Sequence, residues 1–176
     1  MSISIRQETE QDHNTVYEII AEAFANKPHS DGSEPELVNR LRKSDAFIPE
    51  LSLVAEFDGK LVGHLLLTKV TIKNVTQEFE SLALAPVSVH PELQGRGIGA
   101  ALIHAAHQKA KELRHNSVVL LGHEDYYPRF GYNAAEEFGI TFTFEAPSEN
   151  CMAVELSPHA LDGVSGEVVY PKEFFG

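Results

Sequence analysis

The sequence contains a single cysteine, Cys151, no tryptophan and only two methionines among its 176 residues. One cysteine excludes an internal disulfide and any metal cluster built on several thiolates. The nine histidines are scattered without the spacing of a zinc-binding helix, so we expect no metal site. No apolar run is long enough to cross a bilayer. The first residues lack the basic and then apolar order of a signal peptide, from which we expect a cytoplasmic location.

Basic residues are also scarce, with 14 Lys and Arg against 26 Asp and Glu and a formal net charge of −12. Nucleic-acid binding needs a basic face, so this balance argues against nucleic acid as a partner. An acidic balance suits a cationic substrate such as a protonated amine. It equally serves to keep a protein in solution, and the composition does not choose between the two.

The predicted helices and strands indicate an α/β protein, and the length of 176 residues fits one domain, residues 1–176. Helices are predicted after Thr9, after Ser33 and from Ile98, with a short one over 126–130. Asp58-Gly59 is typical of a hairpin turn, and Asn116 is expected to end the long helix in the left-handed conformation. Strands are predicted over 2–7, 51–57, 61–72, 78–89, 117–121, 140–144 and 152–156.

The most informative stretch is a glycine-rich turn between an apolar strand and a helix, Gln94-Gly95-Arg96-Gly97-Ile98-Gly99. Glycines let a ligand approach the backbone, and the free N–H groups of the helix N-terminus attract an anion. The same glycines fit the dinucleotide pattern G-x-G-x-x-A, but five residues separate them from the strand end at Val89. A purely structural turn is the other alternative, although three glycines weaken the helix that follows.

The turn resembles the acetyl-CoA-binding motif of the GCN5-related N-acetyltransferase (GNAT) superfamily, Gln/Arg-x-x-Gly-x-Gly/Ala, with no departure. The resemblance extends along nearly the whole chain. Residues 122–132 (GHEDYYPRFGY) and the tail over 152–171 are most similar to the YhbS-like group of that superfamily. The resemblance implies a splayed central mixed sheet flanked by helices, and acetyl-CoA as the co-substrate.

In this family the strand before the turn carries a bulge and separates from its neighbour, so that the pantetheine of coenzyme A bonds along the freed edge. Pro86 fits such an interruption, since proline cannot donate to a β-ladder. The N–H of Val89 matches the donor that faces the thioester carbonyl. The positions implied to bind the cofactor are Val87, Ser88, Val89, Gln94, Gly95, Arg96, Gly97, Ile98, Gly99, Ala100 and Tyr127.

The family signature Tyr-x-x-x-Gly-Phe matches Tyr127, with Tyr132 in the phenylalanine place, and implies Tyr127 as the catalytic residue. A phenol of pKa ~10 stays protonated at neutral pH and can protonate or stabilise a thiolate leaving group of pKa ~8.5. A core tyrosine with a satisfied hydroxyl is the alternative, and Tyr126 is the second choice for the role.

A base that would deprotonate the amine is left open among Glu80, His123, Glu124 and His64, none of which has a decisive spacing. Cys151 is expected to be a small buried residue beside Met152. An acyl-cysteine route needs a base next to a reactive thiol, and the sequence shows no such motif. Direct transfer in a ternary complex is therefore favoured over an acyl-cysteine route.

The resemblance thus predicts an N-acetyltransferase that acts on a primary amine. A non-catalytic acyl-CoA-binding module, or a transferase that uses another acyl-CoA, is the alternative. The acceptor is left open among a small amine, a polyamine, a peptide N-terminus and a lysine side chain, and relatives often form homodimers. Four acidic residues near the expected acceptor side either attract a cation or are surface charge: Asp31, Glu34, Glu36 and Glu145.

Overall fold

A mixed nine-stranded sheet forms the centre of the structure, a computed structural model that describes residues 2–28 and 30–176. Three α-helices accompany it: α1 (His13–Phe24), α2 (Glu34–Arg42) and α3 (Ile98–Glu112). The strands are β1 (Ile3–Gln7), β2 (Phe47–Phe57), β3 (Lys60–Lys73), β4 (Glu78–Val89), β5 (Ser117–Leu121), β6 (Asn133–Ala134), β7 (Ile140–Phe142), β8 (Cys151–Glu155) and β9 (Gly166–Val169).

The sheet runs in the order β1-β2-β3-β4-β5-β8-β6, and β9 pairs with the far end of β3. Neighbouring strands are antiparallel except for two parallel pairs, β4 with β5 and β7 with β9. The parallel step from β4 to β5 needs a crossover, which α3 supplies. The start of α3 therefore lies beside the end of β4, where the glycine-rich turn connects them.

Apolar side chains cover both faces of the sheet. On one face α3 buries Ile98, Leu102 and Ala106 against the strands, because these residues recur at helical spacing. On the other face α1 and α2 pack a separate cluster over β2 and β3 that includes Val16 and Leu41. On one side β4 pairs with β3 from Glu78 to Val89.

On its other side β4 separates from β5. The two strands pair at Leu82 with Val118 and at Ala83 with Val119. Just beyond, Leu65 of β3 faces Val87 while Leu67 faces Leu84, so one extra residue bulges out of β4 at Ala85-Pro86. The Ala85-Pro86 peptide bond is cis. The bulge redirects the last third of β4 and opens a cleft between it and β5, as the resemblance predicted.

Most predicted elements are present, with several corrections. The α/β class, the mixed sheet and the Asp58-Gly59 turn, where both residues have positive φ, are confirmed. The expected stop at Asn116 is wrong: Arg114 takes the left-handed conformation at φ 68°, and the His115 N–H bonds to the Ala110 carbonyl. Strands β6 and β9 were not predicted, since they are short and follow turn residues. Among the described residues, no helix has the length and apolar character needed to span a membrane.

Candidate active site

The glycine-rich turn forms a backbone-lined cradle at the start of α3. Gly95 and Gly97 have φ of +80° and +83°, a region that disfavours residues with a side chain. A Cβ built on either glycine would meet no atom within 4 Å, so the space in front of the turn is open. The Gln94 side-chain amide donates to the Val89 carbonyl at 3.1 Å and ties the turn to the strand end. This arrangement presents the N–H groups of the helix start to an incoming anion.

The freed part of β4 presents backbone donors to the cleft. The His90 N–H donates to the Val62 carbonyl at 2.8 Å, and bonds alternate along an antiparallel pair. Ser88 therefore bonds with β3, whereas the N–H groups of Val87 and Val89 point away from β3 and into the cleft. An extended ligand can bond to this edge as an added strand would.

Three adjoining cavities follow β4 from the turn to the bulge. The turn cavity, about 370 Å³, is lined by Val87, Val89, Gln94, Gly95, Gly97, Ile98, Gly99 and Ala100, together with Leu93, Tyr126 and Arg129. The middle cavity, about 330 Å³, adds Ser88, Lys27, Glu34 and His123. The apolar chamber, about 540 Å³, shares Val87 and Glu34 with the middle cavity and includes Tyr127. One continuous groove thus brings together most of the predicted site residues.

Arg96 is the predicted residue that stands apart. It is exposed, and it does not line any of the three cavities. Arg129 instead brings a positive charge to the turn cavity. Its guanidinium lies 4.7 Å from the ring centroid of Tyr126 and donates to the Tyr126 carbonyl at 2.9 Å. Sequence reasoning missed Arg129, although its place three residues after Tyr126 in a single helical turn was a usable signal.

The two adjacent tyrosines face successive parts of the groove. Tyr126 lies against the start of α3, where its hydroxyl is 3.3 Å from the Cβ position of Gly99. Tyr127 lines the apolar chamber together with Val87, and the Tyr126 and Tyr132 rings pack edge-on against its ring. Burial raises the pKa of Tyr127 to about 12, and the neighbouring Tyr126 adds to the effect. The phenol of Tyr127 is therefore protonated at every physiological pH.

Gly122 determines where the Tyr127 ring can lie. A Cβ on Gly122 would stand 2.3 Å from Cε2 and 2.8 Å from Cδ2 of that ring, so only glycine allows this packing. The Gly122 backbone is held in turn by Asn150, whose carbonyl accepts its N–H at 2.9 Å. The sequence signal was a glycine directly after a buried strand and five residues before the catalytic candidate.

The candidate bases are not equally placed. Glu80 lies at the far end of β4, with its Oε1 3.5 Å from Nδ1 of His115. Glu124 is exposed and does not line any of the three cavities. His64 is fully buried under α1, and burial lowers its pKa to about 4. His123 lines the middle cavity, as does Glu34, which was not among the candidates for the base. Glu34, His123 and Lys27 are thus the ionisable side chains that line the middle cavity beside β4, and of these Glu34 and His123 can accept a proton from an ammonium group.

A buried polar row crosses the sheet beneath α1 and α2. Ser52 donates to Glu8 at 2.7 Å, so its oxygen accepts from Nε2 of His64 at 3.0 Å. Nδ1 of His64 is then the bare acceptor, and it has no hydrogen-bond partner among the described residues. Ser88, opposite His64 on β4, has a buried hydroxyl that is likewise unpartnered within the described part of the chain.

Cys151 departs from expectation because it is half-exposed at the start of β8. Burial, with Glu136 and Glu149 nearby, raises the pKa of its thiol, which leaves little thiolate at neutral pH. In residues 2–28 and 30–176 no group of three or more metal-ligating side chains comes together.

The chain is similar in sequence to known N-acetyltransferases. The family model for the acetyltransferase (GNAT) domain matches residues 4–135. YjhQ of Escherichia coli K12, named an uncharacterized N-acetyltransferase, is 36% identical over 118 residues, which cover 66% of this chain and 65% of YjhQ. The chain thus matches just under two thirds of that relative's length. YhbS of the same strain, also an uncharacterized N-acetyltransferase, is 27% identical over 87% of this chain and 90% of its own.

Two solved acetyltransferase structures have the same fold as this chain. A GNAT family acetyltransferase from Brucella melitensis in complex with acetyl-CoA has a TM-score of 0.81 and 32% identity, covering 98% of both chains. Escherichia coli YhbS in complex with CoA has a TM-score of 0.88 at 24% identity, over 99% of this chain and 92% of that one, and it shows the fold. The splayed sheet, the glycine-rich turn and these matches agree, and the chain belongs to the GNAT acetyltransferase family.

Proposed function

We propose that this protein transfers the acetyl group of acetyl-CoA directly to a primary amine, in a ternary complex, through a single catalytic domain spanning residues 1–176. The observation that carries the proposal is the continuity of the groove. The helix-start cradle, the free β4 edge and the chamber behind Tyr127 adjoin in the order that diphosphate, pantetheine and acceptor would require.

The cofactor would lie along the turn and β4. Its diphosphate fits the N–H groups between Gln94 and Ala100, with Arg129 supplying a nearby positive charge. Its pantetheine fits the N–H and carbonyl groups of Val87 and Val89 that face the cleft. A relative of 32% identity binds acetyl-CoA, which supports this assignment.

The Val89 N–H is the best donor to the thioester carbonyl. When the neutral amine attacks the carbonyl carbon, a C–N bond forms and negative charge develops on the oxygen. A fixed backbone donor stabilises that charge more than it stabilises the ground state. The C–S bond then breaks, the amide forms, and the nitrogen loses one proton as the sulfur gains one.

Tyr127 acts on the leaving sulfur. Because its pKa is about 12, complete proton transfer to a thiolate of pKa ~8.5 is uphill. The phenol therefore serves as a hydrogen-bond donor that stabilises the departing thiolate, whose final proton comes from the amine nitrogen or from water. Such a charge-assisted bond is worth roughly 1.5–3 kcal/mol.

Steady-state kinetics test the proposal. Thiol release from acetyl-CoA, measured while amine and acetyl-CoA are both varied, should give intersecting double-reciprocal lines and an acetylated product by mass spectrometry. Parallel lines would instead indicate an acyl-enzyme route. Acetyl-CoA binding with no product from any amine would favour a non-catalytic binding module.

A further inference from the structure

The apolar chamber behind the bulge carries information about the acceptor. It is about 540 Å³, the size of a pocket for a small molecule. Apolar and aromatic side chains from α1, α2, β4, β5, the segment after β7 and the C-terminal segment after β9 surround it, among them Phe24, Leu37, Leu84, Phe144 and Phe174. Among the described residues that line it, Glu34 alone carries a charge at neutral pH.

Aromatic rings build one wall of the chamber. Tyr170 packs edge-on against Phe144 at 4.8 Å and against Phe174 at 4.9 Å, measured between ring centroids. Burial raises the pKa of Tyr170, so its hydroxyl is neutral. The segment that carries Phe174 is tied to α2 by Arg40, whose Nε donates to the Glu173 carbonyl at 2.9 Å. The wall is therefore preformed and offers apolar contact rather than charge.

Glu34 stands where the chamber meets the free edge of β4. It is the first residue of α2, is half-buried, and lines both the middle cavity and the chamber. Its Oε1 accepts from the Ser30 hydroxyl at 2.6 Å, which fixes the carboxylate. The neighbouring acidic residues are engaged elsewhere, since Asp31 accepts from Ser33 and Glu36 accepts from Tyr17 on the surface.

We propose that the acceptor is a small primary amine on an apolar body, with its nitrogen held at Glu34 and its body in the aromatic chamber. This inference rests on the proposed acetyl transfer. One carboxylate pairs one ammonium, which releases a proton to solvent before the neutral amine attacks, and the chamber wall would contact the remainder of the molecule. A polyamine or an aminoglycoside would place further ammonium groups against aromatic and aliphatic side chains, where an unpaired charge is strongly disfavoured.

A matched pair of amines tests the inference. Hexylamine and 1,6-diaminohexane have the same chain and differ in whether the far end is a methyl or an ammonium group. At saturating acetyl-CoA, kcat/KM from thiol release should be at least about 30-fold higher for hexylamine. Equal values, or a preference for the diamine, would overturn the inference.

Glu34 is tested by Glu34→Gln, which keeps an oxygen for Ser30 and removes the charge. It should lower kcat/KM for hexylamine about tenfold while leaving the acetyl-CoA Kd unchanged. The control is Glu36→Gln on the same helix, exposed and outside the chamber, which should match the wild type. Equal kinetics in the two variants would refute the role of Glu34.

Calorimetric titration of the same protein with acetyl-CoA distinguishes a failure of the acceptor inference from a failure of the proposed function. Binding of acetyl-CoA without acetylation of either amine overturns this inference and leaves the cofactor assignment intact. Failure to bind acetyl-CoA overturns the proposed function together with the inference.

Discussion

Replacing Gly97 by alanine should have two effects that can be measured separately. It should lower the free energy of unfolding, because of the backbone conformation, and it should weaken acetyl-CoA binding. Gly97 has φ +83° and a Cβ there meets no protein atom within 4 Å. Gly59, in the hairpin turn between β2 and β3, has φ +78° and equally open surroundings. Alanine in this conformation costs roughly 1–2 kcal/mol. Since ~1 kcal/mol shifts Tm by about 2–4 °C at this chain length, both variants should lose roughly 2–8 °C.

Only Gly97→Ala should weaken acetyl-CoA binding. Its methyl group would occupy the space in front of the turn and displace the diphosphate from the N–H groups. Loss of one charge-assisted hydrogen bond, about 1.5–3 kcal/mol, corresponds to roughly 10- to 150-fold in Kd. Thermal unfolding and calorimetric titration measure the two effects. Equal acetyl-CoA affinity in Gly97→Ala and Gly59→Ala would refute the placement of the diphosphate.

Further substitutions test the catalytic candidate Tyr127, its neighbour Gly122, the thiol of Cys151 and the buried His64. Tyr127→Phe should lower kcat roughly 10- to 100-fold with the acetyl-CoA Kd unchanged; equal loss of both would make Tyr127 a packing residue. Gly122→Ala, whose Cβ stands 2.3 Å from the Tyr127 ring, should also lower kcat, and a wild-type rate would contradict the need for that ring position. Cys151→Ala should leave kcat unchanged, whereas complete loss would revive an acyl-cysteine route. The folded pKa of His64 is about 4 against 6.5 unfolded, so acid favours the unfolded chain. The Tm should therefore fall from pH 6.5 to pH 4, with a shallower fall in His64→Gln; identical slopes would contradict the assignment.

The acid sensitivity of His64 has a clear structural origin. Burial is the largest cause of its low pKa; Arg42 and His13 add to the effect and Glu8 opposes it. Because the unfolded chain binds the proton more tightly, unfolding free energy decreases as pH falls through this window. A shift of this size is worth about 3 kcal/mol at most.

Turns that depend only on neighbouring residues could be predicted from the sequence. The dipeptide Asp58-Gly59 predicted the hairpin, and the positive φ of Gly95 and Gly97 is a conformation that glycine adopts without strain. The prediction at Asn116 was wrong because α3 ends before that residue, with Arg114 in the left-handed conformation. The hydrogen bonds that end the helix join backbone groups, which any residue can supply. The short strands β6 and β9 are stabilised by their pairing with β8, β3 and β7, which no local pattern reveals.

The site itself combines near and distant parts of the chain. The turn and the freed β4 edge are contiguous in sequence, so a motif could predict them. The resemblance placed Glu34 near the acceptor side, but Glu34 and Phe174 meet near Tyr127 only through the packing of α2 and the C-terminal segment, which their separation in sequence does not predict. Arg129 reaches the turn cavity, rather than Arg96, because its helical turn folds back over the start of α3.

The most direct test of acetyl-CoA binding at the glycine-rich turn is calorimetric titration of the wild-type protein with acetyl-CoA, with NADH as the control ligand. We expect micromolar, one-to-one binding of acetyl-CoA, no binding of NADH, and much weaker acetyl-CoA binding in Gly97→Ala. Absence of acetyl-CoA binding, or equal binding of NADH, would contradict the assignment of the turn and the groove.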